Sequence, residues 1–160
     1  MKTSENPEIQ NHKRITNTIY FSLVFGLLLF FIIVMILIQD KNVEGGKNLD
    51  MIFTFLVPLF GLAMMFISRI IYNQMISKYD SAGSLLQKIG CYRTAKIVSW
   101  AMIKGGCFLA LVATILTSNY LYVAVFVFLF GYFLLLRPST ESLIRDMRLN
   151  SEESDLILKS

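Results

Sequence analysis

No aspartate or glutamate falls inside any of the long apolar runs of this 160-residue chain. That absence counts against a proton-coupled drug exporter, which depends on a carboxylate within the membrane. There is one histidine, His12, near the N-terminus, and there are two cysteines, Cys91 and Cys107. With no histidine cluster, carboxylate dyad or serine-centred triad, few groups remain for catalysis, and none has an evident base beside it. The chain is therefore read as non-enzymatic. Two cysteines this far apart make no zinc motif, and the cysteine pairs of a membrane disulfide enzyme are missing. No DNA-reading helix or aromatic RNA-binding strand is present either. Neither metal, cofactor nor nucleic acid is expected.

What is present is apolar surface. Hydrophobic residues make up 55% of the chain and charged ones 16%, with a mean hydropathy of +0.59, whereas soluble domains carry about a quarter charged residues. A helix needs about 20 mostly apolar residues to cross a bilayer, and four runs qualify: residues 19–38, 52–71, 97–116 and 119–136. The expected fold is an all-α integral membrane protein of four transmembrane helices, arranged as two hairpins, with short amphipathic cytoplasmic helices. One domain would cover residues 1–160, with an N-terminal tail 1–18, a connection 72–96 and a C-terminal tail 137–160. Lys13 and Arg14 precede the first run, but it is too long for a secretion signal. "QDKNVEGG" also offers no small-residue cleavage site, so the run is expected to remain as an anchor. The two hairpins run in the same direction, which is not the inverted repeat of many transporters.

Basic residues orient the threading. Lys2, Lys13 and Arg14 precede the first span, and Lys78, Lys88, Arg93 and Lys96 lie between the second and third. Arg137, Arg145, Arg148 and Lys159 follow the fourth. The other side carries Lys41, Lys47 and the uncharged "TSN" turn. Both termini are therefore expected in the cytoplasm, with the protein in the cell (inner) membrane. Anionic lipid headgroups account for the net charge of +4, attracting each basic residue by about 1 kcal/mol. Cys91 and Cys107 fall on or near that reducing side, so no structural disulfide is expected.

Outside the spans, "QDKNVEGGKNLD" reads as a polar loop turning at Gly45-Gly46, with Asp50 as a helix N-cap. Pro58 interrupts the second span and leaves the Thr54 carbonyl without its helical partner, so a kink is expected. The second helix should continue past Tyr72, with Met75, Ile76 and Tyr79 on one face, and break at residues 81–83. A short amphipathic helix with Leu85, Leu86 and Ile89 on one face and lysines on the other then leads into the third span, and is expected to lie on lipid. Pro138 ends the fourth span. Ser139 or Thr140 caps a helix carrying Leu143, Ile144 and Met147. "SEESD" reads as a polar break, and "LILKS" as a frayed end.

Two charges sit in or beside the spans. Residues three or four apart share a helix face. On the third span Gly106, Ala110, Ala113, Thr114 and Thr117, extended back through Met102 and Ser99, form a small-residue seam. Such a seam lets membrane helices approach closely and its hydroxyls bond across. Lys104 lies roughly 200° around from Gly106, on the face of Phe108, Leu111 and Ile115. If the seam faces the bundle, Lys104 faces lipid. Trp100 marks the headgroup level, about 6 Å away, so the ammonium is expected to snorkel to cytoplasmic water. Arg69, near the end of the second span, has Ser68, Asn73 and Gln74 close in sequence. It suits phosphate binding or the positive-inside pattern better than catalysis.

The stretch "CYRTAKIVSWAMIKGGCFLALVATILTSNYLY", residues 91–122, resembles a group of uncharacterised four-span bacterial membrane proteins. In these a Tyr-Arg leads into a third span interrupted by a charge next to glycine. That charge is often acidic where this chain carries Lys104. The resemblance implies a four-span fold and brings no activity with it. Short loops, the small-residue seam and two basic amphipathic segments point to an accessory or assembly subunit of a larger membrane complex, with a protein partner or further copies of itself. Two alternatives stand beside it. One is a small transporter or channel for an anionic solute, drawn by Lys104 and Arg69. The other is a lipid-modifying membrane enzyme, with Arg69 holding a phosphate.

Overall fold

The computed structural model describes residues 7–39, 47–78 and 84–158; the expected Gly45-Gly46 turn, the break at 81–83 and Tyr79 lie outside them. Six helices follow one another: α1 (Pro7–Gln39), α2 (Lys47–Ser77), α3 (Leu85–Thr117), α4 (Leu121–Leu135), α5 (Thr140–Asp146) and α6 (Ser151–Leu158). No strand occurs among the described residues. Three helices, α1 to α3, are long and apolar enough to cross a membrane, and α4 joined to α5 by a 75° bend supplies a candidate fourth. Alone, the 15 residues of α4 reach about 22 Å at 1.5 Å per residue.

The first helix opens on Pro7, whose missing amide hydrogen costs nothing in the first turn. Its buried residues, Ile9, Thr16, Tyr20, Leu27, Val34 and Ile38, advance in steps of seven and four. That is a single narrow seam. Phe21, Phe25, Ile32 and Ile36 on the remaining surface are exposed, so α1 is a peripheral wall. Residues 7–18, expected as a tail, are helical and belong to the same rod.

The second helix runs unbroken through Pro58. Asp50 is not its N-cap, because the helix already begins at Lys47. From inside the first turn its carboxylate reaches α4, accepting from the Tyr122 hydroxyl at 2.8 Å and from the Asn119 amide at 3.0 Å. Thr54 lies beside this cluster, 3.3 Å from the Tyr122 oxygen.

The centre of the bundle is α3. Gly106, Ala110, Ala113, Thr114 and Thr117 are all buried. A β-carbon on Gly106 would stand 3.6 Å from the Gly61 Cα of α2 and 3.3 Å from the Leu129 Cδ1 of α4. Thr114 and Thr117 do not bond across the seam; each donates to the carbonyl four residues back, at 2.8 Å. The pair that does bridge helices is Ser68 with Ser99, 2.6 Å apart. The face opposite the seam corrects the expectation of a lipid contact. Leu111 there is fully buried, and Phe108 meets Phe30 of α1 at 5.0 Å between ring centres. Packing on both sides makes α3 the axis of the fold. Ser118, in the left-handed region at φ 53°, turns the chain sharply into α4, which buries Tyr122, Phe126, Leu129 and Phe133.

A second apolar cluster caps one end of the bundle. Ile9 of α1, Ile89 and Tyr92 of α3, Leu143 of α5, Met147 and Ile157 of α6 come together there, with Tyr72, Ile76 and Leu85 packed around them. The segment expected as a separate helix on lipid is thus the first turns of α3, where protein covers Ile89 and part of Leu85 while Leu86 stays exposed. "SEESD" is not a break but the body of α6, and Ile157 in the expected frayed end is fully buried. Ser139 caps α5 as expected, accepting from the Ser142 amide at 3.1 Å.

Candidate functional site

Lys104 enters the cleft between α3 and α1. Its Nζ lies 4.0 Å from where a β-carbon on Gly26 would stand, so the ammonium lies beside Gly26 of α1. The same nitrogen lies 5.4 Å from the centre of the Phe108 ring, a cation–π contact that holds the head in place. Phe108 is one turn further along the helix, and the half-buried lysine engages it rather than groups at the level of Trp100. Trp100 is itself fully buried and donates to the Leu136 carbonyl at 3.2 Å. Among the described residues, no carboxylate lies within ion-pair distance of Lys104.

The capped end carries the other concentration of charge. Expected on an outer face, Lys88 and Lys96 are instead 5% and 7% exposed, because α6 and α5 cover them. Lys88 donates to both carboxylate oxygens of Glu153 at 2.8 and 3.0 Å. That hydrogen bond holds the Glu153 carboxyl below the ordinary glutamate value. Lys96 has no such partner. Its Nζ sits 4.8 Å from the centre of the Tyr72 ring and 5.4 Å from that of Tyr92. Burial pushes its pKa down, and the charge of Asp146 offsets part of that shift.

Asp146 stands at the hub of this end. It accepts from the Tyr72 hydroxyl at 2.6 Å and from the Arg145 guanidinium at 3.2 Å. Tyr92 makes a very short hydrogen bond with Ser142, and burial drives its phenol up to about 12. On the far side, Arg93 of α3 meets His12 of α1 at 3.2 Å, and Lys13 donates to the Ile157 carbonyl of α6.

Beneath the hub lies a cavity of about 330 Å³ bounded by Ser68, Arg69, Lys96, Tyr132 and Asp146 among others. A second, of about 410 Å³, shares Tyr72, Asn73, Arg145 and Asp146 with it and adds Arg148. Arg69 is exposed on the wall of the first, and among the described residues it makes no hydrogen bond or ion pair. The two charges singled out from the sequence are therefore in separate places, Lys104 in the α1–α3 cleft and Arg69 at the cavity. Pro58 stands at neither; it borders an apolar groove of about 380 Å³ between α2 and α4, with Gly61, Phe128 and Leu129.

Sequence reasoning passed over Gly61 and Asp146, and gave Asp50, Lys88 and Lys96 other roles, a helix cap and cytoplasmic surface charge. Only the spacing of Tyr92 and Lys96, one helical turn apart, hinted at their contact. Among the described residues, no three His, Cys, Asp or Glu side chains gather as a metal site. Comparison with known proteins leaves the reading to this geometry: no family, curated protein or solved structure matches the chain.

Proposed function

We propose that the chain is a non-catalytic, four-span subunit of a larger complex in the cell (inner) membrane, with its capped end and both termini in the cytoplasm. The observation that carries this reading is Lys104, a cation within an apolar run with no carboxylate in reach among the described residues. An intramembrane charge is expensive and is normally paired or turned to a polar path. Here it is clasped between Gly26 and Phe108. The natural counter-charge is an acidic group on a neighbouring helix. A second copy of this chain would bring no Asp or Glu to that depth, because its apolar runs contain none. The partner is a different protein with a carboxylate in its own span.

The transporter and lipid-enzyme readings draw less support. The small residues of the α3 seam are packed against α2 and α4, and the seam hydroxyls of Thr114 and Thr117 are used within their own helix. Tagged protein isolated in mild detergent tests the subunit reading. A stoichiometric partner should come with the wild type and with Lys104→Arg, and be lost with Lys104→Gln and Lys104→Met. Retention of the partner by all four forms would remove Lys104 from recognition. Isolation of the chain alone would overturn the subunit reading itself.

A further inference from the structure

We propose that the cavity between α2, α3 and α5 at the capped end binds a phosphate-bearing anion, held by Lys96 and Arg69 with Arg145 at its mouth. The inference is independent of Lys104 and rests on a different set of groups.

Lys96 is 7% exposed and borders the cavity. Among the described residues, no carboxylate lies within 4.0 Å of its nitrogen. The Tyr72 and Tyr92 rings position the ammonium without neutralising it, since an aromatic face carries no net charge. A buried cation is costly unless a counter-charge meets it. The neighbouring acid is Asp146, and its oxygens are already engaged by the Tyr72 hydroxyl and the Arg145 guanidinium. The two adjoining cavities bring Arg69, Lys96, Arg145 and Arg148 around that single carboxylate. Positive charge is in excess, and among the described residues Arg69 has no hydrogen-bond or ion-pair partner.

The surroundings favour phosphate over a small halide. Arginine presents a planar fork that matches phosphate oxygens, and lysine a point charge. Asn73 also borders the space, and 330 Å³ is roughly ten times the volume of one water. The cavity spans from Arg145 down to Tyr132 of α4 and Leu136 at its C-cap. It therefore opens where the apolar part of the bundle meets its polar cap. That is the level of lipid headgroups in the four-span reading, and a soluble phosphate ester would reach the same place from the cytoplasm.

The test uses the full chain in detergent and in phosphatidylcholine vesicles, with and without phosphatidylglycerol. Thermal unfolding is followed against inorganic phosphate, against chloride at equal ionic strength, and against phosphatidylglycerol content. The expected result is stabilisation by phosphate or phosphatidylglycerol but not by chloride. Apparent affinity should fall at least tenfold in Arg69→Gln and in Lys96→Met, and be kept in Lys78→Gln, an exposed cation elsewhere at this end. Without anion, Lys96→Met should unfold at the wild-type temperature or above, since the charge that needs a partner is gone. If Lys96→Met does not fold, Arg69→Gln alone carries the comparison, because that exposed side chain holds nothing in place. Saturation by inorganic phosphate with no further effect of phosphatidylglycerol identifies a soluble ester; response to the lipid alone identifies a headgroup. No response to either, or an equal loss in Lys78→Gln, overturns the site.

Discussion

Gly61 of α2 and Gly106 of α3 face one another where the helices cross. A β-carbon on Gly106 would stand 3.6 Å from the Gly61 Cα, while Leu129 of α4 presses on both, its Cδ1 lying 2.9 Å from a β-carbon built on Gly61. Three helices converge on two absent side chains. In lipid, where apolar surface gains nothing by leaving hydrocarbon, such close van der Waals packing is what joins helices.

Overfilling this crossing should destabilise the bundle. Gly106→Leu is expected to cost about 1–3 kcal/mol, as for other overpacked cores, and to lower the thermal midpoint in detergent. Gly105→Leu is the control, since nothing lies within 4 Å of a β-carbon there, and it should be nearly silent. Gly61→Ala should be milder than Gly106→Leu, because it adds a single methyl and the atom in its way is the movable end of Leu129. Equal losses at Gly105 and Gly106 would mean the crossing does not set stability.

At the opposite end, the Asp50–Tyr122 contact ties α2 to α4. Removing the phenolic oxygen in Tyr122→Phe deletes a hydrogen bond to a carboxylate, worth about 1.5–3 kcal/mol. Asp50→Asn should be gentler, since its amide oxygen still accepts from the hydroxyl. Thermal unfolding in detergent distinguishes the two, and a silent Tyr122→Phe would show that Asn119 alone holds the carboxylate.

Docking of α6 should depend on pH through Glu153. Lys88 holds its pKa below the unfolded value, so the pair contributes full stability above the unfolded glutamate pKa, about 4.3. That contribution is lost as pH falls through the lower, folded value. A nitroxide spin label attached to Ser154→Cys on α6, in a Cys91→Ser, Cys107→Ala background, should gain mobility as the solution is acidified below about pH 4. With Glu153→Gln added, the label should be mobile at every pH and lose this dependence. A dependence that survives Glu153→Gln would assign it to another group.

Threading is read out from intact cells in the same cysteine-free background. Tyr120→Cys, exposed on the turn between α3 and α4, should react with a membrane-impermeant maleimide added outside. Lys78→Cys, exposed at the capped end, should react only after the membrane is opened. The reverse pattern would invert the orientation.

The sequence by itself determined the helices and much of the central seam. Hydropathy and the spacing of Gly106, Ala110 and Ala113 are local properties, written along one stretch of chain and dictated by helical geometry. It also exposed the absence of carboxylates from the apolar runs, which gives Lys104 its interest. Tertiary structure alone decided what those residues meet. That Gly61 opposes Gly106, that α1 covers the face of Leu111, and that the Lys104 ammonium lies beside Gly26 depend on contacts between helices. An amphipathic face does not state whether lipid or protein covers it. Lys88 and Lys96 look like solvated lysines in sequence, and became buried only because α5 and α6 fold back over them. Lys88 and Glu153 are 65 residues apart, and no local period encodes a pair at that distance. Chain closure brings such charges together, and the cavity at Arg69 and Lys96 exists only after it has done so.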